Sequence, residues 1–164
     1  MATATWIKDL LQQEGVEFEE LHHTEAFTAQ AVARQEHVSG HHVAKVVLVM
    51  ADGHPVELVL PASRRIVLER VRDILGARDV RLATEPEMNA TVSDCEAGAL
   101  PALRYRRDAE VLMDEAMRVP GDIVFQAGTH CDAVRMHFAD WFRMTKPRVG
   151  SFSEPVTAQH GTGT

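Results

Sequence analysis

The chain has 164 residues, a 45% hydrophobic fraction and a formal net charge of −7, which suits one globular domain with its own core. A negative chain does not gather polyanions over its whole surface, so any contact with nucleic acid has to come from a local basic patch. The two cysteines, Cys95 and Cys131, suggest neither a disulfide framework nor a zinc knuckle; no secretion signal or membrane-length apolar stretch is present, and a cytoplasmic setting is expected.

Thr5 is positioned to cap a helix whose apolar face is Trp6, Ile7, Leu10 and Leu11, ending at Gly15. Residues 16–21 alternate apolar and acidic side chains, as a half-exposed strand does. Thr28 caps a second helix through about His37. Residues 43–50 and 56–60 form a hairpin, since Asp52-Gly53 between them suits the positive φ values of a tight turn. Ser63 opens a helix with apolar positions at Ile66, Val67, Val71, Ile74 and Leu75, closed by Gly76.

Residues 80–83 make a short strand, and Thr84-Glu85-Pro86-Glu87 reads as a capping box with an early proline. Residues 94–103 are loop-like, punctuated by Gly98 and Pro101. Strands follow at 111–113, 123–126 and 134–136, then a helix over 139–144 that Pro147 stops. From Ser151 onward there is little to pack, so the domain is expected to span 1–150 and residues 151–164 to form a flexible tail. Strands and helices are interspersed without βαβ repetition, which predicts an α+β or mixed-sheet domain.

Lys45 stands out chemically. It sits in the apolar run Val43-Ala44-Lys45-Val46-Val47-Leu48-Val49-Met50, and lysine is rarely buried without a partner. A fixed ammonium binds phosphate as a point charge or steadies developing negative charge. The nine histidines include the adjacent pairs His22-His23 and His41-His42. Adjacent side chains on a strand point to opposite faces, and no HExxH or Cys-x-x-Cys motif is present, so neither a metal nor a cofactor is expected. Cys95 lacks any recognised nucleophile motif, and an ordinary thiol is the weightier reading.

Gly98-Ala99-Leu100-Pro101 combines close backbone approach with stiffness, and its N–H groups are suited to an ester oxyanion; an ordinary surface turn is the competing reading. Gln126-Ala127-Gly128-Thr129-His130 is a second small-residue loop, with His130 suited to a polar substrate group or to plain solvation. Arg104-Tyr105-Arg106-Arg107 is the one dense basic run. It suits stacking and phosphate contact, against the alternative of a solvated loop.

In order, Phe27-Thr28-Ala29-Gln30-Ala31-Val32-Ala33, Val43-Ala44-Lys45-Val46-Val47, Leu60-Pro61-Ala62-Ser63-Arg64-Arg65, Asp94-Cys95-Glu96-Ala97-Gly98-Ala99-Leu100-Pro101, Gln126-Ala127-Gly128-Thr129-His130, Arg135-Met136 and Ala139-Asp140-Trp141 resemble the YbaK/prolyl-tRNA-synthetase-associated domain family. The resemblance covers roughly residues 20–150. It implies a single compact domain with a mixed, barrel-like β-sheet flanked by helices. It also implies trans-editing, in which a mischarged aminoacyl-tRNA is deacylated because synthetase pockets reject smaller or isosteric side chains only weakly.

On that resemblance, Lys45 holds the terminal nucleotide, and the loop from Gly98 holds the carbonyl oxygen and positions the water. Lys45, Gly98 and Ala99 are then the catalytic set. Phe27, Thr28, Val46, Leu100, Pro101, Gly128, Thr129 and His130 are the substrate contacts, and Arg104, Arg106 and Arg107 are candidate tRNA contacts. The substrate's ribose hydroxyl assists proton transfer. Mischarged aminoacyl-tRNA is the expected partner, with a synthetase as a second; DNA and membrane are not expected. The chain departs from many relatives at Pro101-Ala102-Leu103-Arg104, which lacks a second proline and a following glycine, and at Val46, where a polar residue is common. The alternative reading is therefore a binding module for aminoacyl-tRNA, a nucleotide or a synthetase.

Overall fold

The computed structural model describes residues 3–92, 94–106 and 108–156. Arg107 and residues 157–164 of the expected tail lie outside the described residues. The strands are β1 Phe18–His22, β2 Ala44–Ala51, β3 His54–Pro61, β4 Arg64–Ile66, β5 Val80–Leu82, β6 Glu110–Asp114, β7 Asp122–Gln126, β8 Asp132–His137, β9 Arg148–Gly150 and β10 Ser153–Pro155. The helices are α1 Thr5–Gln13, α2 Ala29–Gln35, α3 Leu68–Leu75, α4 Glu85–Thr91 and α5 Phe138–Thr145.

Local chemistry accounts for most of these boundaries. Thr28 caps α2 by accepting from the Ala31 N–H at 3.0 Å, and Thr84 and Glu87 complete the capping box of α4. Asp52 and Gly53 turn the β2–β3 hairpin at φ 49° and 82°, the positive values a two-residue turn requires. Gly76 ends α3 in the left-handed region. At α1 the cap differs from expectation: Ala4 is the N-cap and no side chain caps the helix. The helix forms because Ile7 and Leu11 are fully buried, so packing substitutes for a cap.

The central sheet runs β5-β2-β3-β6-β9. β2 pairs antiparallel with β3 and β5, whereas β3–β6 and β6–β9 are parallel. A second, antiparallel sheet runs β1-β8-β7, and the bridge Val43–Val124 joins the two sheets at their margin. This is the expected α+β domain with a mixed, barrel-like arrangement, and the sheet is not closed. β3 is buried on both faces, since alternate residues point to opposite sides. Val59 joins Ile7, Met113, Phe125 and Trp141 on one side, while Leu58 and Leu60 join Val71, Leu112 and Phe152 on the other. Among the described residues no helix is long and apolar enough to cross a membrane.

Two expectations are corrected here. The helix expected to open at Ser63 begins at Leu68, because Arg64–Ile66 pairs as a strand with Ser153–Pro155. The tail expected to be loose from Ser151 is packed in the segment 152–155. Phe152 is fully buried, and Asp114 Oδ1 accepts from the Phe152 and Ser153 N–H groups at 2.8 and 3.0 Å. One buried carboxylate thus anchors the segment that supplies the strand partner of β4.

Glu57 is the exception inside β3. It lies between Leu48 and Val111 across the sheet and is only 2% exposed. Burial pushes its carboxyl up from 4.5 to about 8, against the opposing pull of the Tyr105 N–H that it accepts and of Arg104. The folded state therefore holds a proton that the unfolded chain releases at its ordinary, lower value. That contribution is fully present below the unfolded value and is lost as pH rises toward 8. Between pH 5 and 8 the loss is expected to be on the order of a few kcal/mol. Urea unfolding across this range is expected to show falling stability in the wild type and a flatter profile in Glu57→Gln. Equal slopes in the two proteins contradict this.

Candidate active site

β2 enters the central sheet at Ala44, which places Lys45 one residue inside its margin, opposite Leu60. The side chain is half-buried, and Nζ donates to the Arg64 carbonyl oxygen at 2.8 Å. Burial lowers the ammonium's pKa. Among the described residues no carboxylate forms an ion pair with it. A partly desolvated cation held by one neutral acceptor attracts an incoming anion more strongly than a solvated lysine does.

The Lys45 side chain borders a cavity of about 340 Å³ whose lining includes Phe27, Thr28, Val46, Gly98 and Gln126. Two loops define one side of this region. Gly98 adopts φ 86° and Gly128 φ 95°, the left-handed conformations that glycine adopts without steric cost. The loops are laced by backbone bonds: Glu96 N–H donates to Gly128 O at 2.7 Å, and Gly128 N–H donates to Ala99 O at 2.9 Å. Glu96 Oε1 also accepts from the His130 N–H at 2.7 Å. The His130 ring packs on the exposed Phe27 ring with centroids 4.6 Å apart, and its Cε1 lies 3.5 Å from where a Gly98 Cβ would stand.

Of the expected catalytic set, Lys45 and Gly98 come together at the cavity. Ala99 does not: its side chain is fully buried and its N–H donates to Glu96 O at 3.0 Å. The Gly98 N–H has no acceptor among the described residues, so Gly98 is the member with an amide to offer. Among the expected substrate contacts, Phe27, Thr28 and Val46 line the cavity, and His130 stands beside Phe27. The others belong to the frame. Leu100 is buried with Leu48 and Val92, and Pro101 is buried next to it. A Gly128 Cβ would lie 3.3 Å from Cys95 Sγ. The Thr129 hydroxyl donates to the buried Asp132 Oδ2 at 2.5 Å and accepts from the Cys131 N–H at 3.1 Å.

The basic run is partly tied into the fold. Arg104 donates Nη1 to the Ala109 carbonyl and Nη2 to the Thr145 carbonyl, the latter at 2.6 Å, so its guanidinium is committed to the backbone. Arg106 is exposed and pairs with Asp108 at 2.8 Å. Next to the run, Ala102 and Leu103 are buried in the core, and the Ala102 carbonyl accepts from Trp141 Nε1. Burial, the indole bond and the Arg104 staple hold the loop where many relatives have a second proline. Burial pushes the Cys95 thiol up to about 11, which leaves little thiolate for nucleophilic attack at neutral pH.

Gln126 and Gln30 also line the cavity; the sequence places both in family-like runs without giving either a role. Gln126 is 7% exposed and donates Nε2 to Ala26 O at 3.0 Å. Gln30 donates Nε2 to Ala62 O at 3.3 Å. The available signal for Gln126 was an amide closing an otherwise apolar strand. Among the described residues no group of three His, Cys, Asp or Glu side chains is arranged to hold a metal ion.

The open mixed sheet flanked by helices matches a known class of domain. The sequence matches the aminoacyl-tRNA editing domain over residues 23–144, and the chain belongs to that family. Hypothetical protein APE2540 superposes with a TM-score of 0.81 at 17% identity, over 90% of this chain and 99% of that one. A proposed trans-editing enzyme for prolyl tRNA synthetase superposes with a TM-score of 0.78 at 16% identity, over 90% and 94% of the two chains. A protein from Marinobacter aquaeolei VT8, described as acting in signal transduction, superposes with a TM-score of 0.70 at 17% identity, over 92% of this chain and 30% of that one. At these identities the likeness establishes the fold. No curated protein sequence matches the chain.

The Arg104 staple predicts an asymmetry within the basic run. Arg104→Ala is expected to lower unfolding free energy by about 1–3 kcal/mol, because it leaves buried carbonyls unpaired. Arg106→Ala is expected to change it by less than about 0.5 kcal/mol. Chemical denaturation of the two variants checks this; a neutral Arg104→Ala removes the staple.

Proposed function

We propose that this chain hydrolyses the ester joining a mismatched amino acid to the terminal adenosine of a tRNA. One observation carries the reading: Lys45 and Gly98, from distant parts of the sequence, border the same cavity in a chain of the editing family. In this reading the Lys45 ammonium holds a phosphate of the terminal nucleotide, offering the partly desolvated cation a counter-charge. The Gly98 N–H donates to the ester carbonyl oxygen as negative charge develops there. Water adds to the carbonyl carbon, the bond to the ribose oxygen breaks, and that oxygen leaves with a proton.

Among the described residues, the cavity lining contributes no His, Asp, Glu or Cys side chain. That composition favours proton transfer through the substrate's neighbouring ribose hydroxyl over a protein base. The stiffened segment after Pro101 favours catalysis over a binding-only module, since an oxyanion donor has to be held in place before reaction. The neighbour described as a proposed trans-editing enzyme for prolyl tRNA synthetase supports action on tRNA released by a synthetase, and hence work alongside cytoplasmic translation.

A panel of mischarged tRNAs tests this. The wild type is expected to release amino acid from at least one of them well above the buffer rate. Lys45→Ala is expected to slow that release by about 10²-fold, in line with the loss of one electrostatic contact in a partly dry site. Background rates for both proteins on every tRNA contradict hydrolysis. Tight binding of an aminoacyl-adenosine analogue without turnover supports the binding module in its place.

A further inference from the structure

Glu96 makes three hydrogen bonds at the junction of the two site loops. Its N–H donates to Gly128 O at 2.7 Å and its carbonyl accepts from the Ala99 N–H at 3.0 Å. The latter bond closes the turn that carries Gly98 at φ 86°. Its side chain reaches across to the other loop, where Oε1 accepts from the His130 N–H at 2.7 Å. Beside it, Gly128 N–H donates to Ala99 O at 2.9 Å, which doubles the backbone link between the loops. The carboxylate itself borders a separate cavity with Ala4, Cys95 and Gly128, and it is absent from the lining of the Lys45 cavity.

From this we infer that Glu96 is a positioning residue: from outside the Lys45 cavity, its carboxylate sets the register between the Gly98 amide and the His130 backbone, whose ring backs the cavity-lining Phe27. The inference rests on the hydrolytic reading above and assigns a role inside it. The physical reason is specific to a side-chain oxygen acceptor of this reach. The two backbone bonds hold the loops together, but they do not fix the His130 N–H, whose link to the 96–99 loop is the side chain of Glu96. Small displacements of an oxyanion donor relative to the substrate wall carry large rate penalties. Substrate grip, by contrast, is assigned to Lys45, which Glu96 does not touch.

The test is steady-state deacylation by Glu96→Ala and Glu96→Gln, together with amide hydrogen exchange at Gly98 and His130. Glu96→Ala is expected to lower kcat by about 10- to 100-fold, with KM within about twofold of wild type and an unchanged thermal midpoint. Glu96→Gln keeps an oxygen acceptor and is expected to recover most of kcat. Exchange at His130 is expected to accelerate in the alanine variant alone. Wild-type kcat in Glu96→Ala, equal losses in both variants, or a loss that tracks global destabilisation overturns the inference. If the wild type releases no amino acid from any tRNA, the hydrolytic reading has failed by itself. In that case unaltered exchange at His130 in Glu96→Ala overturns the clamp as well, and accelerated exchange retains it.

Discussion

The lacing of the 96–99 and 127–130 loops is the constraint on which the site depends. Each loop alone is a short run of small residues with too little side chain to hold a shape. Joined by the Glu96–Gly128 and Gly128–Ala99 backbone bonds, they become one surface. Both glycines take positive φ, so the chain can turn back on itself at each without a clash at Cβ. Behind them, the Thr129 hydroxyl accepts from the Cys131 N–H and donates to the buried Asp132, which His22 also contacts from β1. The surface is therefore fixed to the antiparallel sheet as well as to the central one.

The electrostatics of the site are simple. One half-buried ammonium faces a region with no ionised acid among its described lining residues. Its one hydrogen bond is to a backbone carbonyl, Arg64 O. That carbonyl belongs to β4, and β4 exists as a strand because Phe152 and Ser153 are drawn in by Asp114. A chain segment near the C-terminus thus helps to hold the lysine that the central strand presents. The same economy of charge appears at Glu57, where burial favours the protonated acid rather than a buried anion.

What was legible in the sequence is what local chemistry decides. Thr28, the Thr84 capping box, the Asp52-Gly53 turn and Gly76 each act within a few residues, and each was read correctly. Lys45 was visible because a charge in an apolar run is conspicuous, and Gly98 because its loop stood in a recognisable order with the others. Where the structure departs from the sequence reading, the deciding partner is one that no local pattern announces, whether three residues away, as for Thr129 and Ala99, or distant, as for residues 64–66. Arg104 looked like a phosphate contact, but Thr145 and Ala109 claim its guanidinium. Thr129 looked like a substrate contact, but Asp132 holds its hydroxyl. Ala99 looked like an oxyanion donor until Glu96 closed a turn on its amide. Residues 64–66 read as helix because their strand partner lies in a segment that seemed too polar to pack.

In the proposed reading, Lys45 and the Gly98 amide address the same bound substrate. A crystal structure with a non-hydrolysable, amide-linked aminoacyl-adenosine carrying a 5′-phosphate tests this. The expected result places the carbonyl oxygen within hydrogen-bond distance of the Gly98 nitrogen and the phosphate within reach of Lys45 Nζ, in one molecule. An analogue bound elsewhere, or one that meets Lys45 with its carbonyl turned away from Gly98, contradicts it.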